Sequence, residues 1–286
     1  MQVISLDTRC KACFERSYKH LFEKFAVNPE QQKDFYAYFE EVFRTYKTLS
    51  APEIQIKLNA EFIKLIGIND PFEQEKKEGN QMALELYKEW KTKVFQSENP
   101  FELALRLSVA GNIMDYGVAN QFDVHKTIDN VLNAPFAINH IKHLHHEISK
   151  ANKILYLGDN TGEIVFDKLF LEVINHPRVV FAVKDAAILN DATLEDAKYV
   201  EIDKVAHVIS NGDTAPSTLL NRVSQEFLSH YQTADVIISK GQGNLEGLIG
   251  EQDNRIYFLL MAKCDVIADV LKVNKGSFIV YNQKHI

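Results

Sequence analysis

The arrangement of apolar and polar residues divides the chain into two parts near residue 150. Before that point apolar residues recur at helical spacing, as in the stripe that runs from Phe35 to Phe43. After it, short apolar runs alternate with amphipathic stretches, a pattern typical of a mainly parallel sheet with helices. We therefore predict a helical region over residues 1–150 and an α/β domain over residues 151–286.

Six apolar runs in the second part are predicted strands. They cover Lys153 to Leu157, Val179 to Val183, Ala206 to Ile209, Asp235 to Ile238, Ile256 to Leu260 and Phe278 to Tyr281. The helices between them are predicted to start near Glu163, Leu194, Pro216, Leu245 and Cys264. The fold class that follows is α/β, a Rossmann-like, mainly parallel sheet with helices on both faces, preceded by an all-helical N-terminal subdomain. Because the sequence shows no flexible linker, we expect the two parts to pack together.

The composition excludes several classes of protein. The 286 residues carry a net charge of −7, which gives no general attraction for nucleic acid or an anionic membrane. The longest apolar runs are too short to span a bilayer, and the N-terminus lacks the apolar segment of a secretory signal. We expect a soluble cytoplasmic protein without nucleic-acid or membrane partners. The sequence leaves the oligomeric state open.

Polar clusters follow five of the predicted strands. The first cluster brings Asp159 and Asn160 to the end of a strand, and the second carries Asp191. Ligands bind outside the carboxyl ends of parallel strands, so these side chains are expected to lie close together. Such oxygen donors suit Mg²⁺ or Mn²⁺ and suit zinc poorly. From spacing alone a second explanation stands beside the metal site, in which Asp159 and Asp191 merely cap helices.

The remaining three clusters offer one more acid and groups for an anion. The third includes Asp213, the fourth joins Lys240 to a glycine-rich turn, and the fifth includes Lys263. Lysines and glycine-rich backbone at a helix N-terminus suit phosphate oxygens. A divalent ion combined with such groups is typical of sites that transfer phosphoryl groups. The sequence has no Walker A loop, no dinucleotide-binding fingerprint after the first strand and no serine-hydrolase elbow.

Six short motifs of the chain resemble the DUF89 family of damage-control phosphatases with the ARMT1-like fold, and its compact prokaryotic branch most closely. The motifs occupy residues 10–13, 110–117, 158–163, 188–193, 240–244 and 263–264. The resemblance covers nearly the whole chain. It implies metal-dependent hydrolysis of phosphomonoesters, such as sugar phosphates or damaged phosphorylated metabolites. The cofactor would be a divalent metal ion (Mn²⁺, Mg²⁺, Co²⁺ or Ni²⁺), and the partner a small phosphorylated metabolite.

The resemblance also implies roles for individual residues. Asp159, Asn160 and Asp191 would be the catalytic residues and the metal ligands. The residues that would bind or enclose the substrate are Glu163, Asn112, Asp115, Asp213, Lys240, Gly241, Gln242, Gly243, Asn244 and Lys263. The chain departs from the family at Met261, where relatives carry a lysine. Either Lys263 makes the contact with the phosphate that this lysine makes in relatives, or the contact is missing. The nucleophile is also open between a metal-activated water and Asp159.

Three cysteines stand apart from these candidates. Cys10 and Cys13 form a C-x-x-C pair on a predicted helix, and Cys264 follows the fifth strand. Together they could bind a second metal, form a redox pair or remain reduced in the core, and all three explanations stay open. Four histidines between His140 and His146 could bind a soft metal, but a solvated helix face explains them better.

Two other functions compete with the phosphatase. The first is an S-adenosylmethionine-dependent carboxyl methyltransferase, in which Asp185 would bind the cofactor ribose. The glycine-poor turn after the first strand argues against it, since such cofactors need close approach of the backbone. The second is a non-catalytic protein that binds a phosphometabolite, in which Met261 marks the loss of catalysis.

Overall fold

The computed structural model describes residues 6–111 and 124–285. Its helices are α1 Thr8–Lys24, α2 Pro29–Thr45, α3 Ala51–Ile66, α4 Glu73–Gln96, α5 Pro100–Gly111, α6 Val124–Asn133, α7 Ile141–Lys150, α8 Glu163–Ile174, α9 Leu194–Tyr199, α10 Gln225–Thr233, α11 Gly241–Leu248 and α12 Asp265–Leu271. Its strands are β1 Phe136–Asn139, β2 Ile154–Leu157, β3 Val179–Val183, β4 His207–Ser210, β5 Val236–Lys240, β6 Ile256–Met261 and β7 Phe278–Tyr281.

Helices α1, α2 and α3 share an aromatic core of their own. Tyr18 and Phe22 of α1 pack against Phe35 of α2 and Phe62 of α3, and all four are buried. The helices begin where the sequence favours a start. Asn28 caps α2 through its side chain, which accepts a hydrogen bond from the backbone N–H of Gln31.

The strands form one seven-stranded sheet in the order β1-β7-β6-β5-β2-β3-β4. Neighbouring strands run parallel except β6 and β7, which are antiparallel. Side chains alternate between its faces: Ile154 and Tyr156 enter one hydrophobic core, whereas Leu155 and Leu157 enter another. Helices therefore cover both faces, which confirms the predicted fold class.

The N-terminal helices α4 and α5 pack on the α/β part. Trp90 of α4 and Phe101 of α5 belong to the same hydrophobic core as Ile154 and Phe170 of the sheet and α8. Within the described residues, no helix is long and apolar enough to cross a membrane.

The structure corrects the predicted elements in three places. Phe136–Asn139, inside the region predicted as entirely helical, forms the edge strand β1 and pairs with β7. The helix predicted at Pro216 is wrong, because the chain stays irregular until Ser224 caps α10. Helix α11 starts at Gly241 rather than near Leu245. β1 escaped detection because it has only four residues and its partner lies far along the chain.

Candidate active site

The site lies where the connections of the sheet reverse direction. Strands β2 and β5 are neighbours, but the chain leaves β2 towards β3 and leaves β5 towards β6 on the opposite side. In open α/β sheets such a switch point creates the crevice that binds ligands. Asp159 follows β2, and Gly241 follows β5. A Cβ atom at Gly241, whose φ is +77°, would lie 1.8 Å from Oδ2 of Asp159, so only glycine allows this approach.

Asp159, Asn160 and Asp191 meet at this point, as predicted. All three are buried. Asn160 donates from Nδ2 to Oδ2 of Asp159 at 3.1 Å, and Asn160 and Asp191 form an isolated antiparallel bridge. The loops are tied together by a 2.8 Å hydrogen bond from the Ala192 N–H to the carbonyl of Asp159. Two carboxylates and one amide are therefore held together by backbone contacts.

The alternative in which these acids cap helices is wrong. The N-cap of α8 is Gly162, and the N-cap of α9 is Thr193, whose side chain forms a capping box with Asp196. Neither Asp159 nor Asp191 is therefore the N-cap residue of α8 or α9. Two buried acids gathered at one sheet edge suit a hard cation coordinated through oxygen.

Lys184 is a buried cation beside this group that we did not place among the site candidates. Its Nζ lies 3.6 Å from Oδ2 of Asp191 and donates to the carbonyl of Ser217 at 2.7 Å. The only sequence signal for it is its position directly after β3. Its positive charge partly balances the negative charge of Asp191.

Lys240 lies at the centre of a buried network of ion pairs and hydrogen bonds next to the site. Its Nζ is 2.7 Å from Oε1 of Glu163 and 2.6 Å from Oδ1 of Asp167, and it donates to Ser108 at 2.8 Å. Tyr156 also donates to Asp167, at 2.7 Å. Lys240, Glu163 and Asp167 have no exposed side-chain surface. The ammonium group is enclosed by the protein, which does not support the predicted contact with a substrate phosphate.

The network shifts the ionisation of its members. Burial, together with the negative charges of Asp159 and Asp167, raises the pKa of Glu163 to about 8, although Lys240 acts in the opposite direction. Burial alone would lower the pKa of Lys240, but attraction to Asp167 and Glu163 outweighs it and raises this pKa. Lys240 therefore stays charged. The negative charge of Asp159 makes ionisation of Glu163 less favourable.

Two further substrate candidates have structural partners. Asn244 is fully buried, donates to the carbonyl of Lys240 at 2.8 Å and accepts from Thr218 at 2.8 Å. Asp213 accepts hydrogen bonds at 2.9 and 2.8 Å from Arg222. Asn244 thus fastens the loop of residues 211–224 to α11, and Asp213 stabilises the loop internally. These contacts do not support the predicted roles in substrate binding.

Gln242 and Lys263 lie together at the beginning of α11. The backbone N–H of Lys263 donates to Oε1 of Gln242 at 3.1 Å, and both residues are half-buried. Gly243 accepts a hydrogen bond from Ser217 at its carbonyl, at 2.7 Å. The end of β6, which carries Met261, is therefore attached to the same turn that approaches Asp159.

Asn112 and Asp115, the candidates from the helical part, lie outside the described residues. The described part of helix α5 ends at Gly111. A Cβ atom at Gly111 would lie 3.0 Å from Cα of Glu163, so the described chain ends next to the start of α8.

The three cysteines approach one another near Glu246 of α11, and Cys264 directly follows Lys263. None forms a disulfide. Burial, with smaller contributions from the charges of Glu246 and Cys264, raises the pKa of Cys10 to about 11. The pKa of Cys264 is raised by burial and also by Glu246 and Cys13. These mutual effects place the thiols near each other, but their function stays a prediction.

The histidines predicted on a solvated helix face are partly stacked. His143 stacks on His285 with ring centroids 3.8 Å apart, and His145 stacks on Phe101 at 4.1 Å.

Comparison with known proteins identifies the family. Residues 6–279 match the model of the damage-control phosphatase ARMT1-like domain. A damage-control phosphatase from Pyrococcus horikoshii is 38% identical over 228 residues, 78% of each chain. One from Archaeoglobus fulgidus is 31% identical over 230 residues, 78% of this chain and 79% of that one.

A solved structure shows the same fold. The crystal structure of a DUF89 family protein from Pyrococcus horikoshii aligns with a TM-score of 0.87 at 31% identity, covering 97% of this chain and 99% of that one. Agreement in sequence and fold extends over both the helical part and the sheet. The chain therefore belongs to the DUF89 family of damage-control phosphatases with an ARMT1-like domain.

Proposed function

We propose that this protein is a metal-dependent phosphatase that hydrolyses small phosphomonoesters in metabolite damage control. The observation that carries the proposal is the buried group of Asp159, Asn160 and Asp191 beside the backbone of Gly241. This arrangement joins oxygen ligands for a cation to a helix N-terminus for an anion. The names of the relatives as damage-control phosphatases agree with it.

The donor set fits a hard or borderline divalent ion. Asp159, Asn160 and Asp191 would hold Mn²⁺, Mg²⁺, Co²⁺ or Ni²⁺ through carboxylate and amide oxygens. The Nδ2 of Asn160 donates to Asp159, so its Oδ1 is the atom that would serve as a ligand. Such an ion, when bound, neutralises charge on phosphoryl oxygens and activates water for attack on phosphorus.

The beginning of α11 would bind the phosphate group. The first N–H groups of a helix have no partner within the helix and carry partial positive charge. Because Gly241 has no side chain, Oδ2 of Asp159 comes close to its backbone, so the metal ligands would lie directly beside these N–H groups. Gln242 joins this turn to Lys263, the cation we assign to the phosphate in place of the lysine missing at Met261.

The Lys240 network would position the site without contacting substrate. Lys240 precedes α11, and Glu163 is the first residue of α8. Their 2.7 Å ion pair joins the starts of the two helices that flank Asp159 and Gly241. We assign Lys240, Glu163 and Asp167 to holding these helix starts in place.

We assign the attack on phosphorus to water, because Asp159 is needed as a ligand. An acid-quenched single turnover with radiolabelled substrate tests this assignment. The proposal expects labelled phosphate and unlabelled protein. A stable phosphoenzyme labelled at Asp159 would assign the attack to that carboxylate instead.

The activity itself is tested with protein stripped by EDTA and resupplied with Mn²⁺, Mg²⁺, Co²⁺ or Ni²⁺. Release of phosphate from p-nitrophenyl phosphate only in the presence of metal is the expected result. Binding of phosphometabolites without release would favour the non-catalytic alternative. Methyl transfer from S-adenosylmethionine alone would favour the methyltransferase, whose candidate Asp185 accepts a 2.7 Å hydrogen bond from Ser210. A panel of sugar phosphates and nucleotides then gives the substrate class.

A further inference from the structure

A group of metal-binding side chains lies on the outer edge of the sheet. One ligand atom from each of His207, Glu226 and His230 lies within 4.8 Å of the other two. The imidazole rings of His207 and His230 have centroids 6.1 Å apart. Nitrogen and oxygen ligands on a tetrahedral zinc ion are about 3.4 Å apart, given bonds of about 2 Å. A small rotation of exposed side chains would therefore close the site.

Secondary structure supplies this geometry. Glu226 and His230 are four residues apart on α10, so they project from the same face of the helix. His207 is the first residue of β4, the edge strand of the sheet. Phe227 and Tyr231 of α10 are buried in the core that includes Ile209 of β4, which fixes the helix against this strand.

The surroundings of His230 favour a neutral imidazole. Burial lowers the pKa of His230, and the nearby Lys153 and His207 lower it further, while Glu226 acts in the opposite direction. Lys153 is itself engaged, because its Nζ donates to Oγ1 of Thr233 at 2.6 Å. The buried Nδ1 of His230 has no hydrogen-bond partner among the described residues, so no competing contact there fixes the ring. A neutral imidazole is the form that binds metal.

We propose that His207, Glu226 and His230 form a surface site for Zn²⁺ or a similar borderline transition-metal ion. Two imidazoles and one carboxylate match the ligand preference of such ions, and the fourth position would be left for water. The ion would clip α10 to the edge strand β4. This inference goes beyond the proposed phosphatase activity and uses none of its residues.

The proposed clip lies at the opposite end of the strand from the candidate active site. His207 begins β4, whereas Ser210, at its other end, contacts the loop that follows β3 through Asp185. Three residues of extended strand separate these ends by about 10 Å. A metal ion at the clip should therefore change stability and metal content without supporting hydrolysis.

The site is tested by zinc binding to protein that carries Asp159→Asn. This substitution weakens metal binding at the candidate active site, which would otherwise compete for zinc. Protein stripped with EDTA is titrated with Zn²⁺ by calorimetry, and the bound zinc is then counted. We expect His207→Ala to lose one equivalent of zinc or to weaken that binding at least tenfold, and Glu226→Gln to weaken it also. The exposed His146→Ala is the matched control and should behave like its parent.

The second readout is the change in Tm on addition of Zn²⁺, which does not require the bound zinc to be counted. Zn²⁺ should raise the Tm of the parent protein by more than that of the His207→Ala variant. Because His207 and Glu226 are exposed, both variants should fold, which circular dichroism checks. In the otherwise wild-type chain, His207→Ala should leave metal-dependent hydrolysis intact. Equal zinc content, affinity and Tm shift in the parent and in both variants would overturn the proposal, whatever the outcome for the phosphatase.

Discussion

At the scale of single residues, burial decides which charged groups can meet a substrate. Lys240 is the last residue of β5 and precedes Gly241, yet its ammonium group points into the protein towards Glu163 and Asp167. Lys263 is half-buried on the neighbouring strand exit, and its backbone contacts Gln242. The two lysines have similar positions in the sequence pattern but different surroundings, so their substitutions should have different effects.

Replacement of Lys240 by methionine should destabilise the fold. Removing one partner of a buried ion pair leaves a buried carboxylate uncompensated, at a cost of about 3–5 kcal/mol. Urea unfolding measures this loss, and the double variant Lys240→Met with Glu163→Gln should lose less than the sum of the single changes. Normal unfolding together with a raised KM would show instead that Lys240 binds substrate.

Replacement of Lys263 by methionine should weaken substrate binding and leave the fold intact. We expect KM for p-nitrophenyl phosphate to rise about tenfold, which corresponds to about 1.4 kcal/mol. The exposed Lys150→Met is the control for loss of a positive charge elsewhere. An unchanged KM in the Lys263 variant would mean that the contact made by the family lysine is missing in this chain.

Glu246 should make stability depend on pH. Burial raises its pKa to about 7, while a hydrogen bond from Gln242 acts in the opposite direction. Because its folded pKa exceeds the unfolded value, the protein should lose stability as pH rises from about 4.5 to 7. The loss should be up to about 2 kcal/mol after allowance for solvent screening at a half-buried group.

Glu246→Gln should remove this contribution. Urea unfolding in EDTA should show the variant to be more stable than wild type at pH 8 and equal to it at pH 4. The exposed Glu251→Gln should follow wild type at both pH values. A stability difference of the same size at pH 4 and pH 8 would show that ionisation of Glu246 is not the cause.

At the scale of elements, the order of the strands creates the candidate site. The reversal between β2 and β5 brings the start of α11 against the carboxylate that follows β2. Each element alone would supply only a common turn. Their juxtaposition combines a position for a cation with a position for an anion, and it depends on the absence of a side chain at Gly241.

Gly241→Ala should therefore disrupt metal binding more than it disrupts folding. A non-glycine residue in the left-handed region costs about 1–2 kcal/mol, and here the new Cβ would also collide with Asp159. Gly276→Ala is the matched control, since Gly276 has a φ of +85° and open space around its Cβ position. Both variants should lose stability, but only Gly241→Ala should lose Mn²⁺ affinity and hydrolysis. Equal Mn²⁺ affinity in the two variants would contradict the assigned approach.

At the scale of the whole molecule, the α/β part was predictable because most of its strands are buried on both faces. Val179 to Val183 and Phe278 to Tyr281 form the strands that the apolar runs predict. The meeting of Asp159 with Asp191 was predictable as well, because parallel strands present their carboxyl ends at one edge.

Contacts between distant parts of the chain were not predictable. The direction of the Lys240 side chain depends on Asp167 of α8 and on Ser108 of α5, which lie 73 and 132 residues away. Likewise, the sequence pattern gives no reason for His207 to approach α10. Sequence periodicity identifies the strands and helices and the residues at their ends. Tertiary packing decides which polar side chains contact one another.

The central claim is that Asp159 supports metal-dependent hydrolysis at the switch point of the sheet. The most direct measurement is the rate of p-nitrophenyl phosphate hydrolysis as a function of Mn²⁺ concentration, in wild-type protein and in Asp159→Asn. We predict that wild type is inactive in EDTA and recovers with Mn²⁺. The folded variant should stay at least a hundredfold slower at every Mn²⁺ concentration, since one carboxylate ligand is lost. Wild-type rates in the variant, or equal wild-type rates with and without EDTA, would contradict the claim.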